Sequence, residues 1–530
     1  MASAFSGRTN FRLKPEAAGS GVRLPVTMRR VLLVVFILLV VLAGAVYIAA
    51  TRALTSDYAR TTLEQQLSAA LGQPIRIGAL RAAIYPRVAV DLDDVAIGVP
   101  ATVTLAHVRL VTGLRALFSR TISDAELVVR NSRLTLPLPV NLLPTKAGTN
   151  GGAATPSGLT IASVRVISLE NVDLVATPRV MRVDLRGSLA GDRLDIERLR
   201  MRGSSNIEGK GTIESLARVE GHIEAKADPL DLDELMAIAS ALTSTAGAAQ
   251  QKRGTASPMH LSIALTATKG QFATYTFSDL STTIQLASGT VTLTPLAVRS
   301  FGGNFKGSLD VDTRRDVPQL RLNGRIEGLD VAPLMKANGS AGGVTGTLGG
   351  NVTLSASASD AATVLQTAHG TITAAIVNGT IEHLDMVRTV VLAFGKPSGV
   401  PPEGSGSAFT RLSGTFALGN RTVTSDNLSL TSRDFDVSGR TTLQLSSGAL
   451  DARGDVALSP ELTAQAGTDL RRYAQQDGRV IVPAIVGGTI DRPRVSVDVQ
   501  AAAARAFQNE IQRRTKSIFE GLFKKKGKGP

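Results

Sequence analysis

Few residues in this sequence are of types that could carry catalysis or bind a metal. The chain of 530 residues contains no cysteine, which excludes thiolate nucleophiles, zinc–cysteine sites and iron–sulfur clusters. Its five histidines lie one at a time along the chain. His222 is two residues from Glu224, and His383 is two residues from Asp385, but neither pair has a third ligand close in sequence. A histidine-centred metal site or catalytic triad is therefore not indicated.

Other chemical motifs are weak. The run from Gly342 to Gly350 is rich in glycine but lacks the Lys-Ser/Thr step of a phosphate loop, so we interpret it as a turn region. The Gly-x-Ser-x-Gly pattern of a hydrolase elbow does not occur. Asp91, Asp93 and Asp94 are more typical of a solvated strand end than of a calcium site. We expect no catalytic residues, no cofactor and no bound metal.

The formal charge of +14 is concentrated at the two ends of the chain. Residues 1–30 contain six basic residues against one acidic residue, and residues 505–530 contain eight against two. The remainder carries only +3, so it has no basic stripe that could follow a nucleic-acid backbone. We expect no nucleic-acid partner.

The run from Val31 to Ala50 contains no charged residue. As a helix it would span roughly 30 Å, the thickness of a bilayer core, so we predict a basic cytoplasmic segment over 1–30 and a transmembrane helix over 31–51. A cleaved secretory signal is the alternative, although its apolar run is normally about 7–15 residues long. Because basic residues precede the span, we expect an inner-membrane anchor with a cytoplasmic N-terminus and the bulk of the chain in the periplasm.

One helix and then many strands are predicted behind the span. Apolar residues from Ala53 to Leu71 recur near helical spacing, and Gly72 and Pro74 end the pattern. Period-two alternation follows and is punctuated by 51 glycines. We expect about twenty strands with short helices between some of them.

One strand–turn–strand unit recurs from Gly191, Gly289 and Gly419, at spacings too irregular for a propeller or a short-period solenoid. The predicted fold is mainly β: a long antiparallel sheet grown by successive meanders, with short helices and a C-terminal amphipathic helix. The predicted divisions behind the span are a helix with strands (52–144), a linker (145–158), the middle of the groove (159–394), a Gly/Pro/Ser loop (395–408), C-terminal strands (409–500) and a helix with a basic tail (501–530).

A sheet with one apolar face must cover that face with helices, with a second sheet or with a ligand. The sequence supplies few long amphipathic helices, so two arrangements remain open. The face closes on itself as a sandwich or barrel core, or it stays open as a groove for long apolar ligands such as acyl chains. The alternation gives these candidate groove residues: Leu261, Ile263, Leu265, Val291, Leu293, Leu443 and Leu445.

The C-terminal segment combines an apolar helical face with a basic flank. Lys524, Lys525, Lys526 and Lys528 follow the apolar residues. This pattern is typical of a helix on an anionic membrane surface, and a helix that caps the end of the sheet is the alternative. The candidate contact residues for a membrane or a partner are Phe507, Ile511, Ile518, Phe519, Leu522 and Phe523.

Several segments resemble the AsmA family of envelope proteins. Residues 63–98, LEQQLSAALGQPIRIGALRAAIYPRVAVDLDDVAIG, resemble its start, with a helix, a Leu-Gly-x-Pro turn and a strand pair around Pro86. Residues 378–396, 409–420, 428–456 and 481–498 resemble its AsmA-like C-terminal region.

The resemblance implies a bridge-like lipid-transfer protein whose long antiparallel sheet is curved into an open groove, apolar inside and polar outside. This groove would shield phospholipid acyl chains. Transfer towards the outer membrane would be passive, with a second envelope protein or the distal membrane at the C-terminal helix. The alternative is an interaction protein that influences the assembly of outer-membrane proteins without carrying lipid. A glycan hydrolase is a third and more distant hypothesis.

Overall fold

The computed structural model describes residues 56–525, except for residues 72, 84–86, 114–120, 138–159, 248–258, 288, 316, 338, 340–342, 358–360, 387, 390–405, 466–470 and 472–473. The predicted basic segment 1–30, the predicted transmembrane helix 31–51 and the linker 145–158 lie outside the described residues. Within the described part, no helix has both the length and the apolar character needed to cross a membrane.

The described helices are short except for the last one. They are α1 (Ser56–Leu71), α2 (Leu232–Gly247), α3 (Val331–Ala337), α4 (Ala361–Thr367), α5 (Pro460–Gln465) and α6 (Val499–Lys525).

Strands make up most of the described chain. The first half contains β1 (Ile75–Ala83), β2 (Val88–Ile97), β3 (Val103–Thr112), β4 (Thr121–Ile122), β5 (Ala125–Thr135), β6 (Thr160–Ile161), β7 (Ser163–Ala176), β8 (Arg179–Ala190), β9 (Arg193–Arg202), β10 (Asn206–Ser215), β11 (Glu220–Ala227), β12 (Leu230–Asp231) and β13 (His260–Phe272). The second half contains β14 (Tyr275–Ala287), β15 (Thr290–Ser300), β16 (Gly303–Asp312), β17 (Gln319–Asp330), β18 (Thr347–Ser357), β19 (His369–Ile381), β20 (Ser407–Gly419), β21 (Thr422–Thr431), β22 (Phe435–Gln444), β23 (Leu450–Leu458), β24 (Gln475–Gln476), β25 (Arg479–Thr489) and β26 (Arg492–Val497).

All of these strands except β4 and β6 belong to one sheet. Most successive strands pair antiparallel, but β5 with β7 and β11 with β13 pair parallel, because a longer connection returns the chain to the same end of the sheet. The sheet does not close: its outermost strands are β1, which pairs with β2, and β26, which pairs with β25. The prediction of a mainly β chain with one long, open sheet and few helices is confirmed. The described strands outnumber the expected twenty because several are only two residues long, too short to show alternation.

A single file of paired residues runs across the sheet from β1 to β23, and every member is apolar or glycine. We call it the central file. It consists of Ala82, Val90, Leu110, Leu127, Ile167, Gly187, Ile196, Gly211, Ile223, Ile263, Ile284, Leu293, Leu309, Leu322, Leu354, Gly370, Leu418, Val423, Leu443 and Leu450.

The side chains next to the central file point to the opposite face, because successive residues of a strand alternate. From β13 to β18 the neighbouring file is polar throughout: Ser262, Gln285, Thr292, Asp310, Arg321 and Ser355. The sheet therefore has one apolar face and one polar face over most of its length.

The apolar face is buried in its first part. The side chains of Val90, Leu110, Leu127 and Met181 have no exposed surface, and they belong to one hydrophobic cluster that extends from α1 to β13. We call this cluster the N-terminal core. It contains residues from both sides of segment 145–158. The described elements outside the large sheet that contribute to this core are α1, α2 and the small β4–β6 pair, through Ile122. This cover is small for so many strands, so the sheet must also curl to bury the face.

Helix α1 also protects the free edge of β1. Glu64 accepts a hydrogen bond from the amide of Ile77 at 2.7 Å, and Ser68 accepts one from the amide of Ile75 at 3.0 Å. Leu63 and Leu67 on the same helix are buried in the N-terminal core. The first edge of the sheet is thus covered by side chains that satisfy its unpaired donors.

Candidate functional site

The apolar face of β15 to β18 is exposed to solvent in part. Most of its side chains belong to none of the three buried clusters of the described residues, although Leu296 and Val298 of β15 pack against one of them. We call this region the open face. Val352 and Ala356 of β18 are buried, whereas these larger side chains of the region are partly exposed: Val291, Leu293, Leu309, Leu320, Leu322 and Leu354.

The seven candidate groove residues differ in their position on the apolar face and in how deeply they are buried. Ile263, Leu293 and Leu443 are members of the central file, whereas Leu261 and Val291 stand in a parallel file that also runs through Leu286. All five residues therefore lie on the apolar face of the sheet.

Burial separates the candidates further. Leu261 is 2% exposed inside the N-terminal core, and Ile263 packs against that core. Leu265 packs on a small cluster that includes Leu230 and Leu280, which we call the junction cluster. Val291, Leu293 and Leu443 are partly exposed, and Leu445 lies beyond the last residue of β22 with a half-exposed side chain. Only Val291, Leu293 and Leu443 therefore lie within a strand on the apolar face, are partly exposed and stand outside the buried clusters.

Sequence reasoning did not single out Leu309, Leu322 and Leu354, which lie at the centre of the open face. They pair directly, Leu309 with Leu322 and Leu322 with Leu354. The signal that could have found them is the strict alternation of residues 308–312, 319–323 and 351–357, in which each apolar residue stands between polar ones.

Glycine takes the place of apolar side chains at several positions of this face. Gly350 in β18 belongs to the run that we interpreted as a turn, but residues 349 and 350 lie inside the strand. A Cβ at Gly350 would stand 2.3 Å from the carbonyl oxygen of Thr373 on the neighbouring strand, whereas at Gly349, on the polar face, the nearest atom is 3.5 Å away. Glycine is thus required on the apolar side, where neighbouring backbones approach most closely.

The open face is bounded on its C-terminal side by a cavity of about 230 Å³. Leu384 and Met386, which follow β19, pack over the apolar face there. The Ser407 hydroxyl holds this segment, accepting from the amide of Met386 at 3.1 Å and donating to the carbonyl of Leu384. The cavity lies between this segment and side chains of the strands that include Leu412, Phe416, Val423, Leu443 and Val486.

On its N-terminal side, the open face is bounded by α2. Leu235, Ile238 and Ala241 of this helix pack against the N-terminal core, and Leu232 and Leu235 pack against the junction cluster. The helix contacts β7, β8 and β13. It therefore packs on the apolar face between strands that are several places apart in the sheet.

A buried polar network fixes the start of α2. Glu234 is 1% exposed and accepts hydrogen bonds from the amides of Ser204 at 2.8 Å and Ser205 at 2.6 Å. Asp231 accepts from the amide of Glu234 at 3.1 Å, as an N-cap side chain does, and its own amide donates to the Ser205 hydroxyl at 2.9 Å.

The same network determines the charge of Asp231. Burial raises the pKa of this carboxyl, but hydrogen bonds from the amide of Glu234, from Gln271 and from Arg179 outweigh burial and hold the pKa below its ordinary value. The Gln271 and Arg179 donors are both 3.1 Å from the same oxygen. Asp231 is thus a buried, ionised anchor for α2.

The titratable residues considered in the sequence analysis lie on the polar face or in turns. His107 is 2.8 Å from Asp93, and this hydrogen bond, together with Arg81, lowers the pKa of Asp93 although burial opposes the shift. His222 and Glu224 are exposed neighbours on β11, 3.8 Å apart. Within the described ranges, no group of three His, Asp or Glu residues is placed to hold a metal ion.

The first turns of helix α6 pack on the polar face of the sheet. Arg505 donates to both carboxylate oxygens of Asp455 in β23, at 2.7 and 2.8 Å, and Asn509 accepts from Gln476 at 3.3 Å. The predicted contact residues Phe507 and Ile511 are 69% and 49% exposed. Ile518, Phe519, Leu522 and Phe523 lie in the same helix, but their side chains are outside the described part.

Comparison with known proteins identifies one family. The sequence profile of the AsmA family matches residues 152–432, which is more than half of the chain and runs from within the predicted linker to the end of β21. No curated protein and no solved structure gives a match. The matched range contains α2 and the whole open face.

Proposed function

The chain belongs to the AsmA family, and from this membership and the open face we propose that it binds lipid acyl chains along the apolar side of its sheet and passes phospholipid passively towards the outer membrane. The predicted span over residues 31–51 would anchor it in the inner membrane, with the sheet in the periplasm. No chemical step is involved, so the protein would not act as an enzyme.

The observation that carries this proposal is the central file. Between β15 and β18 its leucines pair with one another, and their side chains remain partly exposed. Covering one leucine side chain completely stabilises by about 1.5–3 kcal/mol, so leaving a row of them half covered is unfavourable in water. An acyl chain would cover these side chains with apolar groups and would need no hydrogen bonds from them.

The length of the exposed row fits such a ligand. Strands lie about 4.8 Å apart, so the three steps of the central file from β15 to β18 cover about 14 Å. One leaflet of a bilayer core is about 15 Å thick, so the length of the row matches that of one acyl chain. The open face should therefore hold at least one acyl chain across its strands.

The test compares two adjacent residues of β18. Leu354→Asp places a charge on the open face, and Ser355→Asp places the same charge on the polar face of the same strand. Phospholipid that co-purifies with the full chain is quantified by mass spectrometry, and circular dichroism checks that each variant is folded. We expect Leu354→Asp to lose most of its lipid and Ser355→Asp to retain it.

Equal lipid content in the folded Leu354→Asp variant would refute the proposal. Recovery of the wild-type chain with unfolded outer-membrane barrels and without lipid would favour the assembly role instead.

Topology has its own test, because it rests on the sequence alone. A reporter that is active only outside the cytoplasm, fused after Pro530, should be active. A fusion that is active only in the cytoplasm would contradict the proposed orientation.

We assign to α6 a contact with an anionic membrane surface or with a second envelope protein. Phe507 and Ile511 stand one helical turn apart and are exposed, although their helix is docked through Arg505. The matched variants are Phe507→Asp/Ile511→Asp and the control Gln508→Asp/Gln512→Asp, which adds the same charge at exposed polar positions of the same turns. Flotation of the full chain without its first 51 residues, on phosphatidylglycerol vesicles, should fall for the first pair only. Equal flotation of both would contradict a membrane role for these two residues.

A further inference from the structure

The apolar face is not equally accessible along its length, although its residue types are the same throughout. In the central file, Val90, Leu110 and Leu127 are fully buried, whereas Leu322 and Leu354 are partly exposed. Protein interiors are packed as densely as organic crystals, so the N-terminal core has no room for an acyl chain unless its side chains are displaced. The first part of the sheet is closed, whereas the later part is open from β15 to β18 and keeps a cavity beyond that, beside Leu384 and Met386.

Helix α2 marks the boundary between these two parts. Asp231, directly before the helix, bonds both Arg179 at the start of β8 and Gln271 of β13, which are four strand steps apart in the sheet. Because it contacts β7, β8 and β13, it bridges the apolar face there, and Asp231 and Glu234 hold its first turn in place. A ligand on the open face cannot continue past this helix towards β1 while the helix stays docked.

Apolar groups are exposed at the rim beside α2. The rim is the turn between β13 and β14, where the amide of Ala273 donates to Asp233 of α2 at 2.8 Å. Met236 on α2 and Phe272 at the end of β13 are 56% and 36% exposed. Tyr275 and Phe301 pack edge to face behind them, with ring centroids 6.2 Å apart. Aromatic side chains make up only 4% of the chain, so their grouping here is notable.

We propose that acyl chains reach the open face sideways, over the rim formed by α2 and the β13–β14 turn, and that the sheet from β1 to β11 is a closed support that carries no lipid. This inference rests on the proposed function and narrows it. A lipid from the inner membrane would pass outside the N-terminal core and enter the groove beside Phe272.

The first experiment maps where lipid lies on the unaltered full chain. The chain is incubated with vesicles of phosphatidylethanolamine and phosphatidylglycerol that contain a phospholipid with a photoreactive diazirine in one acyl chain. After irradiation, labelled peptides are identified by mass spectrometry. We expect label in β13 to β23 and none on the apolar face of β2 to β10.

Two outcomes of the labelling would contradict the proposals. Label at Leu110, Leu127 or Met181 would overturn the inference and leave the proposed function standing. Label nowhere on the apolar face would overturn the proposed function itself, and the inference with it.

The second experiment tests the route with two matched charge insertions. Phe272→Asp lies on the rim beside α2, and Val317→Asp lies on the opposite rim, in the β16–β17 turn, at a similar exposure of 41%. Uptake of a fluorescent-acyl phospholipid from the same vesicles is followed in time. We expect Phe272→Asp to slow uptake about tenfold, equivalent to about 1.4 kcal/mol, and Val317→Asp to leave it unchanged. Slower uptake in Val317→Asp alone, or equal effects of the two changes, would overturn the proposed route.

Discussion

Truncation of one leucine in each part of the central file should separate the closed part from the open part. Leu127 and Leu322 are both mid-strand members of the file, and each is paired on both sides with apolar residues. Leu127 has no exposed surface, so Leu127→Ala loses its full transfer free energy and leaves a cavity, at a cost of about 3 kcal/mol. Leu322 is partly exposed, so Leu322→Ala leaves a site already open to water and should cost about 1 kcal/mol or less.

The measurement is urea unfolding of the delipidated full chain, followed by circular dichroism because the protein has no tryptophan. With a denaturant slope of roughly 3 kcal/mol per molar, Leu127→Ala should lower the midpoint by about 1 M and Leu322→Ala by about 0.3 M. Asn323→Ala on the polar face of β17 controls for strand propensity. Equal midpoint shifts for the two leucines would show that both parts are packed alike, and the distinction between them would be wrong.

Three further changes test other parts of the structure. Asp231→Asn should lower the melting temperature at pH 7, because the ionised carboxylate stabilises the folded state above about pH 4, the ordinary carboxyl range. In the wild-type chain this stabilisation is lost as the pH falls through the lowered pKa of the folded state. The difference in melting temperature between variant and wild type should therefore shrink from about pH 7 to about pH 3. Gly350→Val should lower the melting temperature more than Gly349→Val, because a Cβ at residue 350 clashes with neighbouring backbone whereas one at residue 349 makes only ordinary contact. Arg505→Ala should speed amide exchange in the first turns of α6, and a double-mutant cycle with Asp455→Ala should give a coupling of about 1 kcal/mol.

Alternation was sufficient to predict the two faces of the sheet. Ile263, Leu293 and Leu443 are far apart in sequence, yet all three belong to the central file. The reason is that a period of two assigns a residue to a face whatever the lengths of the turns between strands. The face on which a residue lies can therefore be predicted even where the predicted strand boundaries are wrong. Leu445 is an exception, because it lies just beyond the end of β22 and its side chain is half exposed.

Curvature could not be predicted in this way. Leu127 and Leu322 are the same residue type on the same face, and what the rest of the fold places over each of them makes one buried and the other exposed. Part of that difference comes from the coiling of the sheet. Coiling depends on twist, on bulges and on glycines that let backbones approach, and these act over many strands together. At Asn378, for example, a positive φ of 52° interrupts the alternation of β19, so that Ile376 and Ile381 pack on the same cluster despite their odd spacing.

The position of α6 bears on how a ligand would leave the sheet. Its docking partner Asp455 pairs with Pro483 on the polar face, whereas the last apolar pairs, Val486 with Val495 and Ala484 with Val497, lie on the other face. The docked turns of α6 therefore do not stand between the open face and the edge strand β26. A lipid moving along the apolar face would meet Phe507 or Ile511 only after it had passed that edge. Substitutions at these two residues should consequently reduce delivery to an acceptor membrane while the amount of lipid retained on the sheet stays the same, and a loss of retained lipid would mean that the helix reaches the apolar face after all.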